Sequence, residues 1–376
     1  MHAQLTRRQF LRQTTCAAAA SLLPWSSISA ETVDGAGSLR AHAEAHRLLT
    51  GCAVVPEHLT NEPAYASTVA QQANLLVAEN AMKWKALRPA PDKYNFAPAD
   101  AILAFADAHG QRLRGHNLCW HEALPDWFQS TATTANARRL LTDHIQHVAG
   151  HFAGKLHSWD VVNEAIDVKD GRPDGLRKSR WLELVGPDYV EIAFRAARMA
   201  DSTALLTYND YGIELDTPDQ QQKRAQVLAL VKRLRLRGVP IHAVGVQSHL
   251  TAGESTPGAG LRDFIRELAA LDMQVFITEL DVSDYKLTGS AVERDAAVAK
   301  LYGDYLDLVL AEPNVTAVLT WGVTDKYTWL NQHNPRSDGQ LQRCLPFDAD
   351  YQPTPIFFAM RKGFDSRRQS QPALGS

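Results

Sequence analysis

The sequence contains few cysteines, and their spacing excludes two common kinds of site. Only 4 of the 376 residues are cysteine. Cys16 lies in an apolar stretch near the amino end, while Cys52, Cys119 and Cys344 are far apart along the chain. Such spacing is typical neither of a disulfide framework nor of a structural zinc site. At most one pair could form, and the sequence does not select it; three buried free thiols are the simpler interpretation.

Other absences narrow the class of protein further. The 39 Lys and Arg and 42 Asp and Glu residues give a formal net charge of -3 and form no block of one sign, so nothing indicates nucleic-acid binding. No apolar run is long enough to span a bilayer. No Gly-x-Gly-x-x-Gly follows the first predicted strand, which argues against a dinucleotide-binding fold. A hydrophobic share of 45% leaves ample material for a globular core.

Residues 1–30 have the pattern of an export signal. The pair Arg7-Arg8 is followed by Phe10-Leu11, an apolar stretch over residues 16–24 and small residues at 28–30. This order is typical of a cleavable twin-arginine signal, although a general secretory signal also has a basic amino end. We therefore predict export to the periplasm or the medium, with no membrane association once the signal is removed.

The rest of the chain alternates between short apolar runs and longer amphipathic segments. Eight runs have the character of buried strands, at 48–55, 75–79, 113–120, 156–164, 204–209, 243–249, 275–281 and 315–322. Helical spacing lies between them, as at 97–109, 136–152 and 220–236. Eight strand–helix units predict the α/β class and a closed (β/α)8 TIM barrel rather than an open sheet.

No linker or low-complexity tract divides this pattern, so the sequence predicts a single catalytic domain. We place an N-terminal lead-in at 31–47, the barrel at 48–366 and a C-terminal tail at 367–376, after the signal at 1–30. Nothing in the sequence predicts an oligomer, and we expect a monomer.

Two of the predicted strands end in glutamate, and these ends are the strongest functional signal. The fourth run ends at Asn163-Glu164, and the seventh contains Glu279 and ends at Asp281. In this barrel the catalytic groups lie at the carboxyl ends of the strands. A glycosidic bond needs one acid to protonate the leaving oxygen and one carboxylate at the anomeric carbon. The pair therefore indicates sugar hydrolysis; two structural salt bridges are the alternative.

Tryptophans near the same strand ends support a sugar cleft. Trp120, Trp321 and Trp329 could stack on sugar faces while their N–H groups bond hydroxyls. A single tryptophan is more often part of a core, but three at strand ends favour the cleft. Lys83 is next to Trp84 and is predicted to contact substrate hydroxyls, with a solvated surface lysine as the alternative.

Three histidines near the strand ends raise the question of a metal. His116, His121 and His249 lack His-x-x-x-His spacing and a cysteine partner. Hydrogen bonding to sugar or carboxylate is the better interpretation. The sequence therefore predicts no metal and no cofactor.

Seven short segments together resemble one known family. They are AENAMKW (78–84), RGHNLCWH (114–121), WDVVNEA (159–165), NDY (209–211), GVQSHL (245–250), ITELD (277–281) and TWGVTD (320–325). In this order, over about residues 48–364, they resemble glycoside hydrolase family ten, the endo-β-1,4-xylanases. The resemblance implies a retaining endo-xylanase that hydrolyses internal bonds of xylan and binds xylo-oligosaccharides.

The resemblance also implies a role for each catalytic residue. Glu164 is expected as the general acid/base and Glu279 as the nucleophile of a double displacement. His249, with Asp281 behind it, is expected to hold Glu279 ionised and oriented. Asn163 is expected to bond the sugar 2-hydroxyl.

Ten further residues are expected to bind substrate. They are Glu79, Asn80, Lys83, His116, Trp120, Asn209, Tyr211, Gln247, Trp321 and Trp329. Lys83, His116, Gln247 and Trp321 would line the subsite of the sugar being cleaved. Glu79 and Asn80 would bind the next sugar toward the non-reducing end, and Asn209 with Tyr211 the leaving-group side. Trp321 and Trp329 would crowd the position where glucose carries its hydroxymethyl group, which favours xylose.

The sequence departs from the family pattern at three places near the expected site. Glu122 and Ala123 follow Trp120-His121, where the family usually has a small residue and then glutamine. Gly212 follows the NDY segment where the family often has asparagine, and the loop 331–343 is long and polar. We expect altered subsite affinity rather than lost catalysis.

Three other functions remain open from the sequence. A related barrel glycosidase acting on β-glucans or aryl β-glycosides would share both glutamates. A sugar-binding receptor or inhibitor would have no use for an acid and a nucleophile. A metal-dependent barrel hydrolase would lose its activity to chelators.

Overall fold

A computed structural model describes residues 32–367 and shows a parallel barrel. Its strands, numbered along the chain, are β1 Leu49–Val54, β2 Leu75–Ala78, β3 Arg112–Cys119, β4 Ser158–Asn163, β5 Leu205–Asp210, β6 Ala243–Val246, β7 His249–Thr251, β8 Gln274–Ser283 and β9 Val315–Thr320. All the pairings between these strands are parallel. Parallel pairing requires the chain to cross back between strands, and helices provide the crossovers.

Pairing of the first and last long strands closes the sheet. The order runs from β6 through β1 to β9 and β8, and β6 also pairs with β8. In register, Leu49 of β1 faces Ala317 of β9, and Val244 of β6 faces Val275 of β8. Eight strands thus form the closed barrel, while the short β7 pairs only with the carboxyl end of β8. The described chain is a single-domain (β/α)8 TIM barrel.

Helices surround the barrel and cover its outer face. They are α1 Leu39–Ala45, α2 Pro56–Asn61, α3 Pro63–Gln72, α4 Trp84–Leu87, α5 Ala97–Ala108, α6 Asp126–Thr131, α7 Ala137–His151, α8 Arg180–Val185, α9 Tyr189–Ala200, α10 Pro218–Leu236, α11 Ala259–Ala269, α12 Ala291–Val309, α13 Leu330–His333 and α14 Pro355–Ser366. Proline at the start of α2, α3, α10 and α14 suits a first helical turn, which has no use for an N–H at that position. The buried faces of the helices and the outer faces of the strands form one continuous core.

The barrel interior holds a second, smaller apolar cluster. It includes Leu75, Val77, Phe276 and Leu319, and Trp321 closes it at the carboxyl end. Alternate residues of a strand point to opposite faces, so one set fills this interior and the other meets the helices. The interior is therefore a packed core below the functional end of the barrel.

The predicted strands and helices agree with the structure in place and type. The predicted helices at 97–109, 136–152 and 220–236 correspond to α5, α7 and α10 within two residues at each end. The predicted sixth strand, 243–249, is not continuous. It ends as β6 at Val246, and the chain turns at Ser248, whose φ is 71°.

The segment before the barrel carries a helix of its own. Within the expected lead-in 31–47, α1 packs beside α14, where Nδ1 of His42 lies 2.7 Å from Oδ1 of Asp365. The predicted signal at 1–30 and most of the predicted tail lie outside the described residues. No helix in residues 32–367 has the length and apolarity needed to cross a membrane.

Candidate active site

A cleft of about 610 Å³ opens at the carboxyl ends of the barrel strands. Most of the predicted site residues contribute to its wall: Lys83, His116, Trp120, Asn163, Glu164, Tyr211, Gln247, His249, Glu279, Asp281, Trp321 and Trp329. Because parallel strands all point their carboxyl ends the same way, groups that are far apart in sequence meet there. Glu79, Asn80 and Asn209 are not part of this wall; Asn80 and Asn209 bond to Lys83 and Glu279, which are, and Glu79 bonds to Asn80.

Glu164 follows the last residue of β4 in a left-handed backbone conformation. Its φ is 57°, which is unfavourable for a residue with a side chain and breaks the strand alternation at this point. The backbone is held there because the Glu164 N–H donates to the carbonyl of Asn209 at 2.8 Å. The Glu164 carbonyl in turn accepts from Nε of Arg177 at 2.9 Å. Asn163 and Glu164 therefore both lie in the cleft wall, although they are consecutive.

Three side-chain donors surround the Glu164 carboxyl. Nε1 of Trp120 donates to Oε2 at 2.8 Å. Nε2 of Gln247 donates to Oε1 at 2.9 Å, and Nδ2 of Asn163 donates to the same oxygen at 3.1 Å. Residues from three different strand ends thus fix the position of one carboxyl group.

Burial nevertheless favours the neutral form of the Glu164 carboxyl. Burial raises the pKa of the Glu164 carboxyl, and the negative charges of Asp210 and Glu279 raise it further. The hydrogen bonds from Gln247 and Trp120 oppose that rise without cancelling it. A carboxyl with a raised pKa can act as a proton donor in mildly acidic solution.

Glu279 lies on β8, and the amide of Asn209 binds its carboxylate. Nδ2 of Asn209 donates to its Oε1 at 2.8 Å and to Oδ1 of Asn163 at 2.9 Å. Oδ1 of Asn209 accepts from the Thr278 hydroxyl at 2.7 Å. Gly245 leaves room for this amide, because a Cβ there would lie 2.1 Å from Oδ1 of Asn209.

His249 and Asp281 complete the surroundings of Glu279. Nε2 of His249 lies 3.4 Å from Oε2 of Glu279, and its Nδ1 lies 2.9 Å from Oδ1 of Asp281. His249 and Asp281 face each other in the β7–β8 register, and Asp281 is two residues beyond Glu279 on the same strand. Oδ2 of Asp281 accepts from Nε1 of Trp329 at 2.8 Å. The ring nitrogens of His249 thus bridge two carboxylates.

This arrangement shifts the pKa of Glu279 in the opposite direction from that of Glu164. Burial favours the neutral acid, but the hydrogen bond from His249, the positive charges of His116 and His249 and the bond from Asn209 lower the pKa of Glu279 to about 2. Burial lowers the pKa of His249, yet the charge and hydrogen bond of Asp281 and those of Glu279 raise it well above its usual value. Glu279 is therefore an ionised carboxylate paired with an imidazolium.

A chain of hydrogen bonds leads from the end of β2 into the cleft. Nδ2 of Asn80 donates to Oε1 of Glu79 at 3.1 Å, and Nζ of Lys83 donates to Oδ1 of Asn80 at 2.9 Å. The ammonium lies 5.3 Å from the ring centre of Trp120 and 5.9 Å from that of Trp321. Burial lowers the pKa of Lys83, and the surrounding carboxylates oppose that shift. Lys83 therefore presents a charged donor between two aromatic walls.

The opposite wall is built at the end of β5. Nζ of Lys223 lies 2.7 Å from Oδ1 of Asp210 and 4.1 Å from the ring centre of Tyr211. The Tyr211 hydroxyl accepts from Arg177 at 3.1 Å. Arg177 also forms an ion pair with Asp167 at 2.9 Å. The Tyr211 ring is 40% exposed, so one face remains available at this end of the cleft.

The site geometry can now be set beside known proteins. The family model described as "Glycosyl hydrolase family 10" matches residues 38–363. The chain belongs to this family. The family's sequence pattern therefore covers the whole barrel, including every residue of the cleft wall.

Two curated relatives of this family 10 chain illustrate the match. Endo-1,4-beta-xylanase A of Thermoanaerobacterium saccharolyticum is 37% identical over 325 residues, 82% of this chain and 26% of the relative. Exoglucanase XynX of Acetivibrio thermocellus is 37% identical over 326 residues, 82% of this chain and 28% of the relative. The chain thus spans just over a quarter of the length of these two curated relatives.

A solved structure matches over nearly its full length. Xylanase 10B of Thermotoga petrophila RKU-1, determined in complex with xylobiose, has a TM-score of 0.80 and 34% identity. The match covers 87% of this chain and 97% of that structure. The chain therefore shares the complete fold of a xylanase domain.

The tryptophans of the family 10 chain use their N–H groups differently from the sequence-based prediction. Those of Trp120 and Trp329 donate to Glu164 and Asp281, so they orient carboxyl groups and are not free for sugar hydroxyls. Trp321 is 8% exposed and meets the ring of His116 edge-on at 5.4 Å. All three rings still line the cleft.

Asn209 occupies a different place from the one that its expected sugar contact requires. Its side chain is fully buried beneath the cleft, where it bonds Glu279 and Asn163. No surface of Asn209 faces a sugar, so the amide positions the two neighbouring side chains. Tyr211, predicted for the same wall, does reach the cleft.

The departures from the family pattern lie after β3, after β5 and in the loop 331–343. Glu122 lines the cleft and Ala123 has a φ of 51°. Gly212, with a φ of 66°, also lines the cleft. In the loop 331–343 the guanidinium of Arg336 donates to the carbonyl of Leu287 at 3.0 Å, which ties the loop to the segment after β8.

Metal-binding and redox groups are not assembled within residues 32–367. No group of three or more His, Cys, Asp and Glu side chains there has the arrangement of a metal site. Cys52, Cys119 and Cys344 are buried free thiols. Burial raises the pKa of the Cys52 thiol to about 12, which makes it a poor nucleophile.

Some residues that shape the site were missed by reasoning from the sequence. Asp160 bonds Nδ1 of His116 at 2.9 Å and forms an ion pair with Arg114 in the barrel interior. Glu214 accepts from the Ser248 N–H at 3.0 Å and supports the turn before His249. A charged residue within an apolar run was the available signal for Asp160. Glu214 lies in a loop and has no such signal.

Proposed function

We propose that this family 10 chain is a retaining endo-β-1,4-xylanase that uses Glu164 as acid/base and Glu279 as nucleophile. The observation that carries the proposal is that the surroundings shift the pKa values of two carboxyls in one cleft in opposite directions. Glu164 has a raised pKa, and Glu279 has a pKa of about 2. Double displacement needs one proton donor and one anionic nucleophile on the same substrate bond.

In the first step the Glu279 carboxylate attacks the anomeric carbon. The bond from that carbon to the glycosidic oxygen breaks, and Glu164 gives its proton to the departing oxygen. The sugar is left joined to Glu279 as an ester, and Glu164 is left as a carboxylate. Trp120 and Gln247 donate to this carboxylate and stabilise the charge that it gains.

In the second step Glu164 acts as a base. It takes a proton from water while the water oxygen attacks the anomeric carbon and displaces Glu279. Two inversions at the same carbon return the original configuration. His249 and Asn209 hold Glu279 in its ionised form and receive it again as the leaving group.

The substrate assignment rests on the cleft and on the relatives. Asn163 and Lys83 bring N–H donors into the cleft that holds Glu164 and Glu279. Trp321 and Trp329 line the same cleft. The matching Thermotoga petrophila structure is described as a xylanase in complex with xylobiose. We infer that this chain binds xylan and xylo-oligosaccharides, with crowding by the two tryptophans disfavouring a hydroxymethyl group.

One relative supports a second candidate substrate. The protein from Acetivibrio thermocellus is named an exoglucanase, although its sequence is as similar to this chain as that of the xylanase from Thermoanaerobacterium. A β-glucan would use the same two glutamates. Comparing initial rates on xylan and carboxymethyl cellulose separates the two candidates, and we expect xylan to be favoured.

Release of reducing sugar from arabinoxylan tests the proposal. The purified protein is compared with Glu279→Ala and with Asp107→Ala, which removes an exposed carboxylate at the end of α5. We expect Glu279→Ala to lose the activity by at least about a thousandfold, because the reaction loses its nucleophile. Activity of Glu279→Ala comparable to that of the Asp107→Ala control would contradict the assignment.

We further propose export through the signal predicted at 1–30 and a monomeric state in solution. Replacing Arg7 and Arg8 by lysine tests the export route, because a twin-arginine signal is read through that pair. The double variant should stay in the cytoplasm, and unchanged export would favour a general secretory signal. Light scattering of the purified protein gives the oligomeric state.

A further inference from the structure

Glu122 places an exposed carboxylate in the cleft without an ion pair to Lys or Arg among residues 32–367. It lines the cleft, and 64% of its side chain is exposed. Within residues 32–367 this carboxylate accepts no hydrogen bond, and its nearest ionisable partner is Nε2 of His121 at 3.6 Å. Burial and the charge of Arg177 lower the pKa of His121 to about 4, so the imidazole is neutral above pH 5. Glu122 therefore has no hydrogen bond and no charged ion-pair partner of its own among the described residues.

The cationic side chains near the cleft already interact with other groups. Nζ of Lys83 is bound to Asn80, and its charge is shared among four carboxylates, those of Glu279, Glu79, Glu164 and Glu122. His249 bridges Glu279 and Asp281, and Arg177 is paired with Asp167. None of them forms an ion pair with Glu122.

The backbone at this rim places Glu122 near the proposed acid/base. His121 lies between the two carboxyls, with Nδ1 at 3.9 Å from Oε2 of Glu164 and Nε2 at 3.6 Å from Oε1 of Glu122. The next residue, Ala123, accepts a backbone hydrogen bond from Lys85 at 2.9 Å, which anchors this rim to α4. A sugar bound against Trp120 and Glu164 thus shares the cleft with the Glu122 carboxylate, and the ring of His121 contacts both carboxyls.

We propose that Glu122 disfavours anionic substituents on the sugars bound beside Glu164. The chain then cleaves neutral stretches of xylan faster than stretches that carry a uronic acid group. This inference rests on the proposed function, because it concerns which xylan segments enter the same cleft. Two like charges separated by several ångströms at a solvated site correspond to a discrimination of about threefold to tenfold.

The test compares two xylo-oligosaccharides of equal length, one neutral and one with a single glucuronic acid side group. The readout is the ratio of the two kcat/KM values, neutral over anionic. It is measured at about 10 mM and about 1 M sodium chloride, where the screening length falls from about 30 to about 3 Å. The proteins are the unmodified chain, Glu122→Gln, Glu122→Asp and the control Asp126→Asn. Asp126 is also exposed, with Lys85 at 4.0 Å, and does not line the cleft.

The unmodified chain should give a ratio that is about threefold to tenfold higher at low salt than at high salt. Glu122→Gln should lower the low-salt ratio to the high-salt value, while Glu122→Asp and Asp126→Asn should retain the discrimination. An unchanged ratio in Glu122→Gln would overturn the inference. Failure of the unmodified chain to cleave the neutral oligosaccharide would instead overturn the proposed function, and this inference with it.

Discussion

Glu164 and Glu279 differ in their neighbours and not in their burial. Their exposed fractions are 8% and 4%, so burial acts on both in the same direction. Glu164 meets uncharged donors and two negative charges, whereas Glu279 meets an imidazolium that Asp281 supports. The charged and hydrogen-bonding partners of Glu279, with His249 foremost, therefore separate the nucleophile from the acid.

Replacing His249 by glutamine should shift the pH dependence of hydrolysis. Without the imidazolium, burial raises the pKa of Glu279 from about 2 toward or beyond its ordinary value of 4.5. Activity requires ionised Glu279, so the acid limb of the kcat/KM profile should move up by about two pH units or more. The alkaline limb, set by loss of the Glu164 proton, should stay in place because Glu279 is ionised there in both proteins. An acid limb that does not move would contradict this role.

Restoring an amide at Ala123 should change how substrate is held. The Ala123→Gln variant adds a hydrogen-bonding side chain at the rim beside Glu122, where the φ of 51° already accommodates a residue other than glycine. We expect a lower KM on long xylo-oligosaccharides and a changed product pattern, with a smaller effect on short ones. Unchanged values on both would count against a subsite role for this position.

The sequence predicted the site residues better than the contacts that hold them. Glu164 and Glu279 could be placed because they lie in the carboxyl-terminal parts of predicted buried strands, in a barrel whose catalytic end is known. The bonds of Asn209 to Glu279 and of Asp160 to His116 join residues far apart in the chain. Such pairs depend on the closed barrel and on side-chain direction, which local patterns do not encode.

At the scale of elements, the break between β6 and β7 brings His249 to Glu279. Ser248 holds a φ of 71°, and its N–H donates to Oε1 of Glu214 at 3.0 Å. Oε2 of Glu214 accepts from the Ile213 N–H at 2.7 Å. One buried carboxyl thus supports two loops beside the cleft.

Replacing Glu214 by alanine should destabilise the fold and reduce turnover. Two buried N–H groups lose their acceptor, at a cost of about 1 to 3 kcal/mol each in the free energy of unfolding. Loosening of Ser248 displaces His249, so kcat should fall as well. Urea unfolding and xylan kinetics measure both effects.

The matched control for Glu214 is Ser290→Ala at the start of α12. Ser290 and Glu293 form a capping box at an exposed helix end remote from the cleft. Its loss should cost about 1 kcal/mol of stability and leave kcat unchanged. If Glu214→Ala behaved like this control in both measurements, Glu214 would have no part in positioning His249.

The sequence predicted the existence of the elements more accurately than their interruptions. Predicted and observed bounds of α5, α7 and α10 agree closely because caps and helical periodicity are local signals. The turn at Ser248 carries no glycine, proline or asparagine, so the apolar run through 243–249 looked continuous. The strain is maintained by Glu214, a contact that only the folded chain provides.

At the scale of the whole molecule, an ion pair lies inside the barrel. Arg114 of β3 and Asp160 of β4 are both fully buried, and Asp160 also contacts His116. Nε and Nη1 of Arg114 have no hydrogen-bond partner among the described residues. The pair links the barrel interior to the cleft above it.

Asp160→Asn should be one of the more destabilising single changes in the barrel. It leaves the Arg114 charge buried without a counter-ion, which costs about 3 to 5 kcal/mol. Removing both charges together, as Arg114→Met with Asp160→Leu, should cost less than Asp160→Asn alone. Chemical denaturation of both variants tests this, and a double variant less stable than the single one would contradict the account.

The barrel fold could be predicted because it follows from the number of strand–helix units in the sequence. Eight alternating units define a barrel, and no linker interrupts them. The interior charge pair and the helix α1 before the first strand could not be predicted in the same way. Both are settled by closure of the sheet and by packing against α14, which bring distant segments together.

The central claim is that Glu164 and Glu279 act as acid/base and nucleophile in two successive displacements. Proton NMR of the first reducing ends formed from xylohexaose tests it most directly, because double displacement preserves the configuration at the anomeric carbon. The account predicts that the β-anomer appears first and that the α-anomer grows only as mutarotation proceeds. An α-anomer at the earliest time points would mean a single displacement by water and would contradict the assignment of Glu279.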